Sequence, residues 1–205
     1  MSVASAERSA LCSLFDELGP DAPTLCEGWQ ARHLAAHLVI RERRPDAAPG
    51  ILVPALAGHT NRVQAGYERK DWAELVNLVR TGPPRFSPMS LGVVDQLVNS
   101  AEYLVHHEDL RRAQPGWEPR PADPARDRAA LAAVTRGAKA MLRKSPVGVV
   151  LATPSGREIT AKQGTPVVKV TGDPLELLLY AFGRDAVRVT FEGDETALAT
   201  VKRGL

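Results

Sequence analysis

The chain has 205 residues, with 26 basic against 24 acidic side chains and a formal net charge of +2. That balance leaves no electrostatic footprint for nucleic acid or an anionic membrane surface. With 44% hydrophobic and 24% charged residues, the composition is globular, and the length allows one large domain or two small ones.

Apolar residues Ala10, Leu11, Leu14, Phe15 and Leu18 recur at helical spacing and predict a first helix over about 4–18, ended by Gly19-Pro20. A second helix is predicted from about Trp29 to Arg43 and stops near Pro45. A third helical region covers about 54–81 with a break near Lys70-Asp71, and the breaker cluster TGPPRFSP separates it from a fourth helix over about 90–113. The proline-rich QPGWEPRPADP connects to a fifth helix over about 124–144.

Beyond Pro146 the pattern changes to short β-branched runs, VGVVLAT, REITAKQ and TPVVKVTG, separated by turn residues, which read as strands. Asp173, Pro174 and Glu176 give the signature of an N-cap, a first-turn proline and a capping box, and Gly183 supplies the stop. AVRVTF alternates as a further strand, and DETALATVKR closes the chain as a helix. The expected fold class is therefore α+β, an N-terminal helical bundle over 1–144 joined to a small α+β domain over 145–205, with a ligand cleft between them.

Two helix-like runs carry the chemistry. WQARHLAAHLVIRE holds His33 and His37, and DQLVNSAEYLVHHEDL holds Glu102 and His106, each pair four residues apart and so on one helix face. Two imidazoles and a carboxylate with a position left open is the ligand pattern of a catalytic zinc or similar divalent ion. Spacing alone leaves a second reading open. In it Gln30, His33, His37 and Arg41 are the solvent face of an amphipathic helix, and Glu102 with His106 is an ordinary i,i+4 contact. On the later helix Glu102 and His106 border the apolar arc, whereas His107 and Gln96 fall on the wet side.

Other residues read more plainly. Arg41, Arg43 and Arg44 are expected to be solvated or to compensate the helix dipole, whereas Asp95, Glu108 and Asp109 either reach toward the site or lie, as acidic residues commonly do, on exposed helix faces. His59, in the polar stretch HTNRVQ, reads as a substrate contact or as a residue without a role, and Trp29, Trp72 and Trp117 are expected to anchor packing. Cys12 and Cys26 lack C-x-x-C spacing and read as reduced thiols. The first fifteen residues do not resemble a secretory signal, and no run approaches the ~18 apolar residues of a membrane span. The expected location is the cytoplasm.

Trp29, His37 eight residues later, and a distant Glu102-x-x-x-His106 together resemble the DinB-like superfamily, in particular the branch typified by mycothiol-dependent maleylpyruvate isomerase. VVKVTGDPLELLLYAFGR resembles the small C-terminal domain of that branch, so the likeness spans nearly the whole chain. The resemblance implies a four-helix bundle, here with an extra helix, and a divalent metal, usually zinc, held by His37, Glu102 and His106. It also implies a low-molecular-weight thiol such as mycothiol as co-substrate, and Arg184 facing the metal cleft as a catalytic residue. The other reading of Arg184 is compensation of a helix C-terminal dipole. Relatives commonly carry Asp where this chain has His33, which leaves a fourth ligand, a supporting partner or an exposed residue as its role.

The function implied is a thiol-dependent S-transferase or isomerase acting on a small electrophile, with no nucleic-acid or membrane partner. Cis-to-trans isomerisation needs only reversible thiolate addition and rotation about the transient single bond. The alternative is a non-catalytic metal-containing protein that holds a small or lipid-like ligand.

Overall fold

A computed structural model describes residues 2–84 and 99–204. These divide into two compact units, Met1–Glu118 and Pro119–Leu205. Among the described residues there are eight α-helices and one four-stranded sheet, an α+β fold.

The first unit is helical. Helix α1 (Val3–Leu18) begins where the Ser2 hydroxyl accepts from the Ser5 amide and ends at Gly19, whose φ of 80° suits a residue without Cβ. Helix α2 is Ala31–Arg43. The predicted third region resolves into α3 (Ala57–Glu68) and α4 (Trp72–Thr81), broken where expected, because Asp71 caps α4 by accepting from the Glu74 amide. Helix α5 (Ser100–Arg112) is the later part of the predicted fourth helix. Its earlier part, with Leu91, Val94, Asp95, Gln96, Leu97 and Val98, lies outside the described residues.

Helix α1 packs on α5 and α4, and α2 packs on α3 and α4. Leu11, Phe15, Leu34, Leu38, Leu75, Val79 and Tyr103 meet in their shared core. Phe15 meets Trp72 edge-on, ring centroids 5.4 Å apart at 81°.

Helix α5 departs from the expected half-wet helix, since every residue from Tyr103 to Leu110 is buried. Its polar residues are paired inward. His107, expected on the wet side, is buried with Nδ1 2.7 Å from Glu7 Oε2 of α1. Glu108, which the sequence leaves between the site and an exposed face, is also buried and accepts from Arg112 Nε at 2.5 Å. Packing of α1 against the face that periodicity assigned to solvent is the physical reason.

The second unit starts with α6 (Pro124–Met141), capped by Asp123, which accepts from the Ala125 and Arg126 amides. Strands β1 (Gly148–Ala152), β2 (Glu158–Lys162) and β3 (Val167–Gly172) follow, then α7 (Pro174–Ala181), β4 (Val189–Glu192) and α8 (Glu195–Thr200). The sheet order is β2-β1-β3-β4, with β1 and β3 parallel and both outer pairings antiparallel. Val149, Leu151, Val168 and Val170 are buried in it.

Two details differ from the sequence reading. Helix α6, expected in the bundle, packs on α7, so the division falls between Glu118 and Pro119 rather than at 144/145. Asp173 stands at the N-cap of α7 without a side-chain cap bond among the described residues, and Glu176 accepts from the Arg188 amide at 2.7 Å. That bond ties α7 to the approach of β4. No helix among the described residues is long and apolar enough to cross a membrane.

Candidate metal centre

Helix α2 and helix α5 bring His37, Glu102 and His106 together. Glu102 Oε2 lies 3.8 Å from His37 Nε2 and 3.3 Å from His106 Nε2. The two imidazole rings are 5.2 Å apart at 75°. The three potential ligand atoms lie within 4.8 Å of one another. Around a tetrahedral ion with ~2.0–2.1 Å bonds, neighbouring ligand atoms stand roughly 3.3–3.4 Å apart, so the donors need only small shifts to close on one cation. Both histidines are 8% exposed, while the Glu102 side chain is 23% exposed.

Two of the three ligands are held in the form a cation needs, and the third, His106, carries a proton that a cation must displace. Burial lowers the His37 pKa against the pull of Glu102, so this imidazole favours its neutral, ligating form. Burial opposes ionisation of Glu102, but the facing imidazoles of His106 and His37 and the charge of Arg41 outweigh it and hold this carboxyl well below the usual range. Burial likewise opposes protonation of His106, yet hydrogen bonds with Asp109, Cys26 and Glu102 hold its pKa well above the ordinary value. Without an ion, a proton on His106 balances Glu102.

The chain shares the fold of mycothiol-dependent maleylpyruvate isomerase. The crystal structure of that enzyme matches with a TM-score of 0.63 at 20% identity, over 93% of this chain and 90% of that chain. A histidine-to-alanine mutant of the isomerase matches at 0.62 and 19%, over the same shares. No protein-family model matches the sequence, and no curated protein matches it significantly.

Several neighbours were not fully legible as site residues. Arg41, expected to be solvated, puts Nε 3.3 Å from Glu102 Oε2 and donates from Nη1 to Asn99 Oδ1 at 2.7 Å. Asp109, for which the sequence leaves open both the site and an exposed face, is fully buried and stands 2.9 Å from His106 Nδ1. A signal for it exists: it lies three residues beyond His106 and seven beyond Glu102, on the same helical face. Cys26 donates to the same Asp109 oxygen at 3.3 Å, a contact across 83 positions that no local pattern announces. With His106, these two form a second group whose ligand atoms could meet an ion.

The remaining sequence candidates lie elsewhere or play other parts. His33 belongs to neither ligand group; its Nδ1 accepts from the Gln30 amide at 3.0 Å and so caps the start of α2. His59 pairs with Asp46 at 3.0 Å on the surface, beside Arg44. Trp29 packs against His37, with ring centroids 5.3 Å apart. Arg184, in the second unit, follows the α7 terminus, where its amide donates to Leu179 O and its Nη1 to Phe182 O, both at 3.0 Å. Those bonds satisfy carbonyls at the helix end.

Proposed function

We propose that the protein binds one divalent ion, zinc by preference, through His37, Glu102 and His106, and works as a thiol-dependent S-transferase or isomerase on a small electrophile. The observation that carries this reading is the convergence of two imidazole nitrogens and one carboxylate oxygen within 4.8 Å from two separate helices. Two histidines and one carboxylate leave a coordination position free for a reactant. Bound there, the ion supplies Lewis acidity that lets a thiol ionise at neutral pH. The fold shared with mycothiol-dependent maleylpyruvate isomerase supports the thiol.

The chain's own residues then have distinct tasks. His37, kept neutral by burial, offers a lone pair without a proton to displace. Glu102 provides the single negative charge of the ligand set, and Trp29 shields one side of the His37 ring from water. Arg184 is assigned to pairing with a carboxylate of substrate or thiol through its planar donor fork.

One observation favours a non-catalytic reading. Arg41 already stands at the Glu102 carboxylate, so the cluster is charge-compensated without an ion and can serve as a structural element of a protein that holds a small or lipid-like ligand. Elemental analysis of the purified protein, followed by titration of the zinc-loaded form with mycothiol and glutathione, separates the two. One ion per chain, lost in Glu102→Gln, together with saturable thiol binding is the expected result. Ion without thiol binding overturns the enzymatic reading, and no ion overturns the metal centre.

A further inference from the structure

His106 meets the centre with only one of its nitrogens. Nε2 faces Glu102 at 3.3 Å, and Nδ1, on the opposite edge of the ring, faces Asp109 Oδ2 at 2.9 Å. An imidazole that ligates through one nitrogen keeps its proton on the other, and an ionised carboxylate can only accept. Asp109 therefore selects, for the ion-bound form, the tautomer with hydrogen on Nδ1, so that the Nε2 lone pair on Glu102's side of the ring is the one a cation takes.

The carboxylate is itself held. Cys26 donates to Asp109 Oδ2 at 3.3 Å, and the Leu25 amide donates to the Asp109 main-chain oxygen at 2.9 Å. Thr24 organises the same loop, since its hydroxyl donates to Trp29 O at 2.8 Å and accepts from the Cys26 amide at 3.2 Å. The loop thus reaches the outer side of both histidines, through Cys26 and Asp109 for His106 and through Trp29 for His37.

We propose that Asp109 is the positioning residue of the centre, fixing the tautomer and orientation of His106 while the loop bearing Leu25 and Cys26 fixes Asp109. The proposal rests on the metal reading above. It gives the buried carboxylate a role beyond packing, because outer partners of ligating histidines set ligand geometry and basicity and typically contribute 10–100-fold to affinity.

The test measures zinc affinity by competition with a chromogenic chelator for wild type, Asp109→Asn and Asp109→Ala, with circular dichroism confirming the fold of each. Asp109→Ala is expected to weaken binding about 10–100-fold. Asp109→Asn, whose amide oxygen still accepts from Nδ1–H, is expected to recover part of that loss. Long-range proton–nitrogen NMR of zinc-loaded wild type is expected to show His106 protonated at Nδ1 and ligating through Nε2, a readout that needs no folded variant.

Wild-type affinity in a folded Asp109→Ala overturns the proposal, as does ligation through Nδ1, which would move the ion to Cys26 and Asp109. Wild type that binds no zinc overturns the metal reading itself, so the two failures are told apart.

Discussion

Arg41 Nε lies 3.3 Å from the same Glu102 oxygen that faces His37 and His106. A guanidinium there stabilises the carboxylate when no ion is bound, but it repels an arriving cation. At an effective dielectric of about 20, a unit positive charge some 6 Å from a divalent ion opposes its binding by up to ~5–6 kcal/mol before screening by solvent and salt reduces it. Arg41→Met is therefore expected to tighten zinc binding by roughly tenfold, measured by chelator competition. Weaker binding would mean that Arg41 serves the centre by orienting Glu102.

The pH response follows from His106. Its pKa is raised by hydrogen bonds with Asp109, Cys26 and Glu102 that outweigh burial, so an incoming ion displaces its proton. Zinc affinity should rise with pH up to that raised pKa, approaching tenfold per unit. For the metal-free fold the sign is opposite. A folded pKa above the unfolded value near 6.5 gives stability that is complete below that value and lost as pH rises through the folded pKa. The Tm difference between metal-free wild type and His106→Gln should shrink as pH increases. A difference that grows would contradict the assignment.

The two thiols should behave differently. Burial pushes the Cys12 thiol up to about 11, and its side chain is shielded inside the helical core, whereas Cys26 is partly exposed. Native protein is expected to react with a thiol reagent at no more than Cys26, and Cys12 only after denaturation. Mass spectrometry of partly labelled protein locates the site; early modification of Cys12 would contradict its placement.

Arg184→Ala distinguishes a substrate contact from a helix terminator. A residue that pairs a carboxylate should, when removed, raise KM for an anionic substrate or weaken thiol binding while leaving Tm nearly unchanged. Loss of the bond to the Phe182 carbonyl alone should cost about 0.5–1.5 kcal/mol of stability and leave turnover intact. Steady-state kinetics and thermal melts on one preparation give the answer.

Much of this was readable from residue order, and the divide is physical. Pairs four apart in one helix announce a shared face, so His37, Glu102 and His106 stood out, and the α3/α4 break showed in Lys70-Asp71. Periodicity cannot say which polar face a neighbouring helix will cover. That is why His107 was assigned to water, and Glu108 left open to it, although Glu7 and Arg112 await them inside. The same ambiguity leaves Arg41 looking solvated and Asp109 poised between the site and the surface. Helix α6 has an apolar face that suits a bundle or a sheet layer alike, and only its packing on α7 decides between them. The Cys26–Asp109 bond, closed by tertiary structure alone, had no local signature.

Helix α5 has a consequence for how the protein would be handled. The stretch that offers Glu102 and His106 is also the inner wall of the helical core, so an ion could not leave its seat and the helix fray independently. Each tenfold excess of free zinc over Kd should add about 1.4 kcal/mol to the folded state. Heat resistance would then follow how much zinc the surroundings offer, and a melting curve would read metal supply directly.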